Sequence, residues 1–371
     1  MKKVILAYDS FKGCITAAEA CKASAEIIRE IYPEANVLEF PMSDGGEGLV
    51  ECLARYRKVR TITINAHDAL MRNIKASYSM SEDGTEAYME MASTCGLTLI
   101  EPEKRNPLKT TTYGVGEMIA DAIERGCQNI TIGIGGSATC DAGRGMVECL
   151  MEKGIIDDNS AICEGIVKNG NATKQLPRIT VVCDVNNPLY GRNGASYIFS
   201  PQKGATSEQV ELLDQRLRDF ARSTEASGKA TYEMAEFPGS GAAGGLGYGL
   251  MAYLNAQLKP GTEVLLDIMR FSEKTTNADM IITGEGMSDA QTLMGKVPFG
   301  ILSHSNGAPV HVLSGSIRDV GLLLNAGFAS LSSINEDDNR QLDILMRKDV
   351  ALFNLKCATR RLLEKILSQN K

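Results

Sequence analysis

Short apolar runs recur along the chain, and a polar loop rich in Gly, Ser, Asp or Glu follows almost every one of them. Residues 4–7 lead into Asp9 and Ser10, and residues 37–40 lead into Asp44 and Gly45. Short apolar runs that end at such turn residues predict strands buried on both faces. We therefore expect an α/β fold with one parallel sheet and helices on both faces. The runs assigned to this sheet are residues 4–7, 37–40, 130–134, 280–283, 310–313 and 328–334.

Between these runs, apolar residues recur at helical spacing. Thr16 and Glu19 have the spacing of a capping box, and Pro33 ends the helix that they begin. The first strand, this helix and the next strand form a βαβ unit. Residues 350–367 predict a closing amphipathic helix. In open α/β sheets the ligand crevice lies at the carboxyl ends of the strands, which is where the polar loops fall.

The pattern changes at Arg60. Residues 61–65, 74–80 and 85–91 are alternating or β-branched and are joined by short polar turns, which predicts antiparallel strands. A further strand is predicted at residues 195–199. We expect a mixed α/β domain of residues 60–91 and 151–271, inserted into an α/β domain of residues 1–59, 92–150 and 272–371.

Composition agrees with two globular domains and disfavours two kinds of partner. The chain has 371 residues, 43% of them hydrophobic and 23% charged, which is ordinary for a soluble protein of about two domains. It has no Trp and a formal net charge of −7, so we expect no binding to nucleic acid or anionic membranes. No apolar stretch approaches the length of about 20 residues that a membrane span needs.

The cysteines and histidines favour neither a disulfide framework nor a metal cluster. The ten cysteines include no C-x-x-C pair and are typical of a reducing, cytoplasmic compartment. His67, His304 and His311 are far apart in the sequence. Acid–base chemistry is therefore expected from carboxylates and lysines. A homodimer is an assembly that the sequence leaves open.

One glycine turn is the strongest single local signal. Residues 129–145 begin as an apolar run and then carry Gly135, Gly136, Ser137 and Thr139, with Asp141 after them. Glycines let backbone N–H groups approach an anion, and a following helix N-terminus adds further donors. The pattern suits a phosphate loop, and it also fits a loose dinucleotide fingerprint, G-x-G-x-x-A. A tight turn without a ligand explains the stretch about as well.

The loops together carry carboxylates, lysines and hydroxyls, a set that suits phosphoryl transfer. The chain has no G-x-x-x-x-G-K-[ST] Walker loop and no H-R-D motif of a protein kinase. Three classes remain open from the residues alone: a non-Walker kinase of a small polar metabolite, a dinucleotide-binding oxidoreductase, and a small-molecule sensor without catalysis. The acidic members also have a simple alternative as helix caps. The loop residues are Asp9, Ser10, Lys12, Asp44, Glu47, Ser137, Thr139, Asp141, Asp184, Lys203, Glu285, Asp289 and Lys296.

A series of longer motifs resembles the type I bacterial glycerate kinase family. The motifs occur in order over nearly the whole chain, so the resemblance is far more specific than any one glycine turn. They are D-S-F-K-G at residues 9–13, D-G-G-E-G at 44–48, R-N-P-L-x-T-T-T-Y-G at 105–114, G-I-G-G-S-A-T-x-D at 133–141, C-D-V-x-N-P-L at 183–189, P-Q-K-G-A at 201–205, G-A-A-G-G-L-G at 241–247 and T-G-E-G-x-x-D-x-Q-T at 283–292.

The resemblance implies phosphorylation of D-glycerate with ATP and Mg²⁺, at the 2-hydroxyl to give 2-phosphoglycerate. It also implies two α/β domains, one of them Rossmann-like, with the site in the cleft between them. It argues against the dinucleotide alternative.

On that reading we assign candidate roles to the loop residues. Asp184 and Asp289 are candidate catalytic carboxylates and metal ligands, and Lys12 is a candidate catalytic cation. Arg105 is expected to grip the glycerate carboxylate in bidentate fashion, although a domain-interface salt bridge is an equal alternative. The other candidates for substrate binding are Ser10, Asp44, Glu47 and Thr111. Those for ATP or phosphate binding are Gly135, Gly136, Ser137, Thr139, Asp141, Lys203, Gly284 and Glu285.

The sequence departs from the family pattern at five loop positions: Tyr8 replaces Pro, Cys14 replaces Ser, Cys140 replaces Asn, Asn186 replaces Asp and Met287 replaces Arg. The loss of a carboxylate and a cation could alter acceptor preference. The glycines and the other motif carboxylates are kept, so we predict an active kinase.

Overall fold

A computed structural model describes residues 1–11, 13–42, 57–157, 162–163, 166–169, 172–336 and 338–369, with backbone alone at 162–174 and at 369. The chain divides into two compact units. Unit 1 is Met1–Asp44 with Gly261–Lys371, and unit 2 is Gly45–Pro260. In chain order, unit 2 is thus an insertion into unit 1.

The strands are numbered in chain order. They are β1 (Lys3–Tyr8), β2 (Asn36–Glu39), β3 (Val59–His67), β4 (Asn73–Ser81), β5 (Glu86–Glu90), β6 (Asn129–Gly133), β7 (Ile162–Cys163), β8 (Ile166–Asn169), β9 (Ala172–Gln175), β10 (Arg178–Val182), β11 (Gln257–Lys259), β12 (Met280–Gly284), β13 (Met287–Ser288), β14 (Val310–Ser314), β15 (Ser316–Ile317) and β16 (Ser330–Ser333).

The described α-helices are numbered in the same way. They are α1 (Ala17–Ile31), α2 (Ala92–Cys95), α3 (Tyr113–Glu124), α4 (Arg144–Glu152), α5 (Ala195–Phe199), α6 (Ser207–Ala226), α7 (Tyr232–Glu236), α8 (Ala242–Leu254), α9 (Gly261–Ile268), α10 (Phe271–Thr275), α11 (Val297–Ser303), α12 (Val320–Asn325), α13 (Leu342–Leu345) and α14 (Lys348–Gln369). Four 3₁₀ turns lie at Leu97–Leu99, Pro102–Lys104, Pro201–Lys203 and Ala290–Met294.

Unit 1 contains a five-stranded parallel sheet in the order β16-β14-β12-β1-β2. Strands β1, β12 and β14 are buried along nearly their whole length, as the continuous apolar runs predict. Helices α1 and α14 pack into the same core through Ile28 and Leu355. The predicted capping box is confirmed, since Thr16 Oγ1 accepts from Glu19 N and the Glu19 carboxylate accepts from Thr16 N. This sheet confirms the predicted α/β class.

Unit 2 contains a six-stranded mixed sheet in the order β11-β10-β6-β5-β4-β3. The β3–β4 and β4–β5 pairs are antiparallel, as predicted from the alternating strands after Arg60. The β5–β6, β6–β10 and β10–β11 pairs are parallel. Two smaller sheets complete the described strands: β7-β8-β9 is antiparallel and β13-β15 is parallel.

Two sequence predictions are wrong. The strand predicted at residues 130–134 was assigned to the sheet of residues 4–7, but β6 pairs with β5 and β10 in the other sheet. Buried parallel strands look alike in sequence, so an apolar run does not reveal which sheet it joins. The compact units therefore differ from the predicted domains, and residues 92–150 belong to unit 2.

The second error concerns residues 195–199, which form helix α5 and not a strand. Five residues are too few for hydrophobic periodicity to separate helix from strand. In the structure Ser196 Oγ donates to Val210 O at 2.7 Å, which ties α5 to α6. Across the described residues, we find no helix that combines the length and the apolar character needed to span a membrane.

Candidate active site

The glycine turn after β6 and the loop after β10 lie at the same edge of the unit 2 sheet, because β6 and β10 are parallel neighbours. A cavity of about 340 Å³ opens there. We call it the unit 2 cavity. Gly135, Gly136 and Ser137 line it from the first loop, and Asp184 lines it from the second. The arrangement matches the rule that ligands bind at the carboxyl ends of strands in α/β sheets.

A buried lysine forms part of the wall of this cavity. Lys203 ends the 3₁₀ turn Pro201–Lys203, and only 2% of its surface is exposed. Its ammonium Nζ donates to Ser137 Oγ at 2.6 Å and to the carbonyl oxygen of Thr139 at 2.7 Å. An ammonium has three donors, and these two bonds use two of them. Lys203 and Ser137, two predicted phosphate-binding residues, are therefore brought together.

Burial makes this cation unusual. It lowers the pKa of the Lys203 ammonium to about 8, while the neighbouring Cys140 and Asp141 act in the opposite direction. A buried charge is costly unless it is paired or hydrogen-bonded. A small anion in the unit 2 cavity would compensate that cost, so the geometry fits an anionic ligand.

The carbonyl that accepts from Lys203 is held by an unusual backbone segment. Ala243, Gly244 and Gly245 all have positive φ, at 53°, 69° and 90°. A Cβ on Gly244 would overlap the carbonyl oxygen of Thr139. Glycine is thus required at residue 244 for the close approach of the two chain segments. Thr139 Oγ1 is itself buried and has no hydrogen-bond partner among the described residues.

Asp141 and Thr111, two further predicted site residues, occupy hydrogen-bonded positions at helix starts. Asp141 accepts from Thr112 N and Thr112 Oγ1 at 2.9 Å each, and from the backbone N–H groups of Gly143 and Gly145. Burial raises the pKa of Asp141, and these bonds oppose the rise. Thr111 Oγ1 accepts from Tyr113 N at 3.3 Å. Asp141 thus holds the starts of α3 and α4, a role that the capping alternative for the acidic residues anticipated, and Thr111 holds the start of α3 alone.

Arg105 contacts the wall of the unit 2 cavity through the backbone of Leu97. Its guanidinium donates to the carbonyl oxygens of Ile100 at 3.2 Å and Leu97 at 3.4 Å, and Leu97 lines the cavity. With the other described residues it forms no ion pair. A Cβ on Gly204, whose φ is 91°, would overlap the carbonyl oxygen of Arg105. Arg105 and the Lys203 turn are therefore packed together.

A second polar group lies at the carboxyl ends of β1 and β12 in unit 1. Asp9 and Ser10 follow β1, and Gly284 ends β12 just before Glu285. Glu285 Oε1 accepts from Ser288 Oγ at 3.1 Å and from Thr292 Oγ1 at 2.8 Å. Burial raises the pKa of Glu285. The loops of β1 and β12 thus present two buried carboxylates, as their neighbouring positions in the sheet require.

Lys296 completes this unit 1 group. Its Nζ lies 3.6 Å from Glu285 Oε2 and 3.8 Å from Asp289 Oδ1. Asp289 caps the 3₁₀ turn Ala290–Met294 by accepting from Gln291 N at 2.9 Å. The sequence marked Lys296 and Asp9 as loop residues without giving either a role in binding. The position of Asp9 directly after a buried strand was a signal that could have identified it, whereas Lys296 lies directly before α11 and has no such signal.

The remaining predicted residues divide between the two units or fall outside the description. Lys12, Asp44 and Glu47 lie outside the described residues. Asp184 and Asp289, the predicted metal ligands, belong to different units. Within the described ranges no group of three or more His, Cys, Asp or Glu residues could hold a metal ion.

The departures from the family pattern also have defined positions. Cys140 is buried beside Lys203, and burial raises the pKa of its thiol. Asn186 is exposed, and Met287 is 38% exposed on the wall of a unit 1 cavity. Nothing in the structure explains why Cys140 stands where the family has Asn.

Fold and site together define an α/β protein in which parallel-strand loops present a buried cation, hydroxyls and carboxylates to a small polar ligand. The family model described as "Glycerate kinase family" matches residues 4–365. The chain therefore belongs to the glycerate kinase family, and it is a phosphotransferase.

Individual relatives agree over most of their length. The chain is 40% identical to "Glycerate 2-kinase" of Escherichia coli over 358 residues, which covers 91% of this chain and 92% of that protein. It is 39% identical to "Glycerate kinase" of Bacillus subtilis over 349 residues, 90% of each chain. A crystal structure described as a glycerate kinase 2 from Salmonella typhimurium LT2 matches with a TM-score of 0.75 at 34% identity, covering 100% of this chain and 99% of the other.

Proposed function

We propose that this protein transfers the terminal phosphoryl group of ATP to the 2-hydroxyl of D-glycerate, giving 2-phosphoglycerate and ADP. Family membership supports glycerate as the acceptor, and the name of the Escherichia coli relative supports the 2-hydroxyl. The structural observation that carries the proposal is the buried Lys203 ammonium, which donates a hydrogen bond to Ser137 Oγ at the wall of a cavity of about 340 Å³.

In this cavity Lys203 binds an anionic oxygen, either of the glycerate carboxylate or of the phosphoryl group. Charge-assisted hydrogen bonds of this kind are about twice as strong as neutral ones. The backbone at Gly135 and Gly136 is exposed and has no side chain to block an approaching oxygen. Loops with these properties commonly cradle phosphate groups.

Asp184 is the proposed proton acceptor. Its side chain is exposed and lines the same cavity as Lys203. In phosphoryl transfer the acceptor hydroxyl needs chiefly to be oriented, and a carboxylate takes its proton late. Asp184 would perform both tasks for the 2-hydroxyl of glycerate.

The donor set also fits Mg²⁺ as it is used by kinases. In such sites Mg²⁺ is held by one or two carboxylates together with substrate phosphates and water, so a dedicated cage of three ligands is not needed. Asp184 in unit 2 and Asp289 in unit 1 are each, within its own unit, a candidate carboxylate ligand. When bound, Mg²⁺ would neutralise the negative charge of the phosphate oxygens.

We also place the protein in the cytoplasm. Among the described side chains, eight cysteines, including Cys14, Cys183 and Cys357, are free thiols, as is usual in a reducing compartment. A homodimer stays a prediction.

The decisive experiment is an ADP-release assay with Mg-ATP and D-glycerate, run beside glyoxylate, tartronate and erythronate. We expect turnover to be fastest with D-glycerate. Phosphorus NMR of the product should show 2-phosphoglycerate, and a signal from 3-phosphoglycerate would correct the position of transfer. Absence of turnover with every hydroxy acid would refute the kinase assignment.

The oxidoreductase alternative has weak support. In a dinucleotide turn the helix begins at the glycines, so that its N-terminus meets the pyrophosphate. Here α4 begins at Arg144, well after Ala138. Binding of NADH in a fluorescence titration would revive this alternative.

A further inference from the structure

Unit 1 contains a cavity of about 460 Å³ that the proposed chemistry of the unit 2 cavity leaves unused. We call it the unit 1 cavity. Asp9 and Ser10 line it from the loop after β1, and Glu285 and Gly286 line it from the loop after β12. The volume lies within the range of about 300–1,000 Å³ that is usual for small-molecule sites.

Its position in the sheet is the position where α/β folds bind ligands. Along the chain β2 is added on one side of β1, and β12, β14 and β16 are added in turn on the other side. The direction of chain progression therefore reverses between β1 and β12. Crevices outside the carboxyl ends of strands at such a switch point are the usual ligand sites of open parallel sheets. Asp9 and Glu285 follow directly on the two strands that flank this point.

The charge of the unit 1 cavity separates it from the unit 2 cavity. Asp9 and Glu285 are each only 6% exposed. With Lys296 beside them these two carboxylates leave the cavity one net negative charge, which disfavours an acid such as glycerate and suits a ligand that offers hydroxyl groups to the carboxylates. In α/β nucleotide sites a carboxylate near the carboxyl ends of the strands accepts hydrogen bonds from ribose hydroxyls.

The Glu285 carboxylate is already oriented for such a contact. Ser288 and Thr292 both donate to Oε1, so the Oε1 side of the carboxylate is fixed. Lys296 Nζ lies 3.6 Å from Oε2 and is half-exposed at the same cavity. A ligand with hydroxyls next to a phosphate would meet both groups.

The remaining wall is apolar and comes from the chain after β16. Ile334, Leu345 and Met346 line the cavity there, together with Phe11 from the β1 loop. Flat apolar groups such as nucleobases pack against walls of this kind, while a few polar groups fix their orientation. Ile334 is buried, and Met346 is 42% exposed, so the wall runs from the core to the surface.

We propose that the unit 1 cavity binds the nucleoside end of ATP, with the base against Ile334, Leu345 and Met346 and a ribose hydroxyl donating to Glu285. The inference rests on the proposed function for the identity of the nucleotide. It assigns a binding role to Ile334, Leu345 and Met346, which the sequence motifs do not mark.

Photolabelling of the full-length protein with 8-azido-ATP tests the location directly, because the reactive group is on the adenine ring. After peptide mapping, we expect cross-links within residues 9–14 or 334–351, and we expect adenosine to compete for them. Cross-links confined to residues 134–137, 182–185 or 199–203, which line the unit 2 cavity, would overturn the proposal.

A pair of variants gives a second readout that does not depend on turnover. Met346→Trp fills the cavity from its exposed side, and Leu322→Trp, on the exposed face of α12, is the matched control. Calorimetric titration with the imido analogue of ATP should show affinity lowered about tenfold or more for Met346→Trp. Overfilling a binding cavity costs at least about the free energy that corresponds to a tenfold change in affinity. The control should match the unaltered protein. Equal affinity in all three would refute the proposal.

The outcomes separate this inference from the proposed function. If D-glycerate is phosphorylated but the label lies in unit 2, the kinase assignment stands and the nucleoside site is wrong. If the label lies in the unit 1 cavity but no hydroxy acid is phosphorylated, the nucleoside site stands and the acceptor is wrong.

Discussion

The ammonium of Lys203 donates a hydrogen bond of 2.6 Å to Ser137 Oγ, although 66 positions separate the two residues in the chain. The contact joins the glycine turn after β6 to a 3₁₀ turn that is remote in sequence. It places a buried cation on the wall of the cavity to which we assign substrate binding. The first two predictions follow from this pair.

Replacing Lys203 by Met should impair substrate binding. A hydrogen bond to a charged group contributes about 1.5–3 kcal/mol, so we expect kcat/KM for D-glycerate to fall about 10- to 100-fold. Steady-state kinetics measure the effect. Lys104→Met is the matched control, because Lys104 is exposed and forms only a surface ion pair with Glu101. A variant with unchanged kinetics would show that Lys203 is purely structural.

The contribution of Lys203 to the stability of the protein should rise with pH just above neutrality. The folded pKa of Lys203 is about 8, below the ordinary lysine value of 10.5. Between these values the Lys203 side chain binds more protons in the unfolded chain than in the folded one, so its contribution to the free energy of unfolding increases with pH. Below pH 8 the ammonium is charged in both states, and its full burial cost is present.

The measurement is the unfolding midpoint in denaturant between pH 7.5 and about 9.5. Buried thiols such as Cys21 and Cys95 act in the opposite direction within this range, because burial raises their pKa, and buried tyrosines such as Tyr8 and Tyr248 do so at higher pH. Because these groups are also present in Lys203→Met, the difference in the free energy of unfolding between the unaltered protein and this variant should rise with pH. Parallel curves for the two proteins would contradict the assigned pKa.

Asp184→Asn and Asp141→Asn should have different effects: the first should lower catalytic activity and the second should lower stability. Asp184 is exposed in the unit 2 cavity, so its amide variant should lose about a hundredfold in kcat, the low end of general-base contributions, with a nearly unchanged melting temperature. Asp141 accepts from two helix starts, and its amide variant should lose about 1–3 kcal/mol of stability. Kinetics and thermal unfolding should be measured on both. Equal destabilisation would show that Asp184 is structural as well.

Arg105→Ala should raise KM for D-glycerate and leave KM for ATP unchanged. The guanidinium holds the carbonyl oxygens of Leu97 and Ile100, and Leu97 is part of the unit 2 cavity wall. Arg144→Ala is the control, because its pair with Glu148 lies on the surface. A matched rise in both KM values would argue against a role confined to the glycerate side.

The sequence predicted local structure well where a single segment determines it. The Thr16 capping box and the buried strands β1, β12 and β14 depend on residues close together in the chain. The sheet that β6 joins depends instead on its pairing with β5 and β10, and nothing within residues 129–133 specifies those partners.

In the candidate site too, the sequence predicted some residues but not the contacts that they make. Motif residues such as Ser137 and Lys203 could be named from the sequence, but the burial of Lys203 and its contact with Thr139 arise from packing between distant segments. The apolar wall at Ile334, Leu345 and Met346 carries no local signature, since apolar residues after a strand end are equally typical of an ordinary core.

The lack of space for a Cβ at Gly244 affects how functional residues are identified from mutation scans. Any replacement there would displace the Thr139 carbonyl and, through it, the charge on Lys203. A scan of substitutions scored by growth or turnover would rank position 244 beside the residues that touch substrate. Intolerance to mutation at this position therefore reports the backbone packing that positions a charged group. Such a scan cannot by itself distinguish residue 244 from a residue that contacts the substrate.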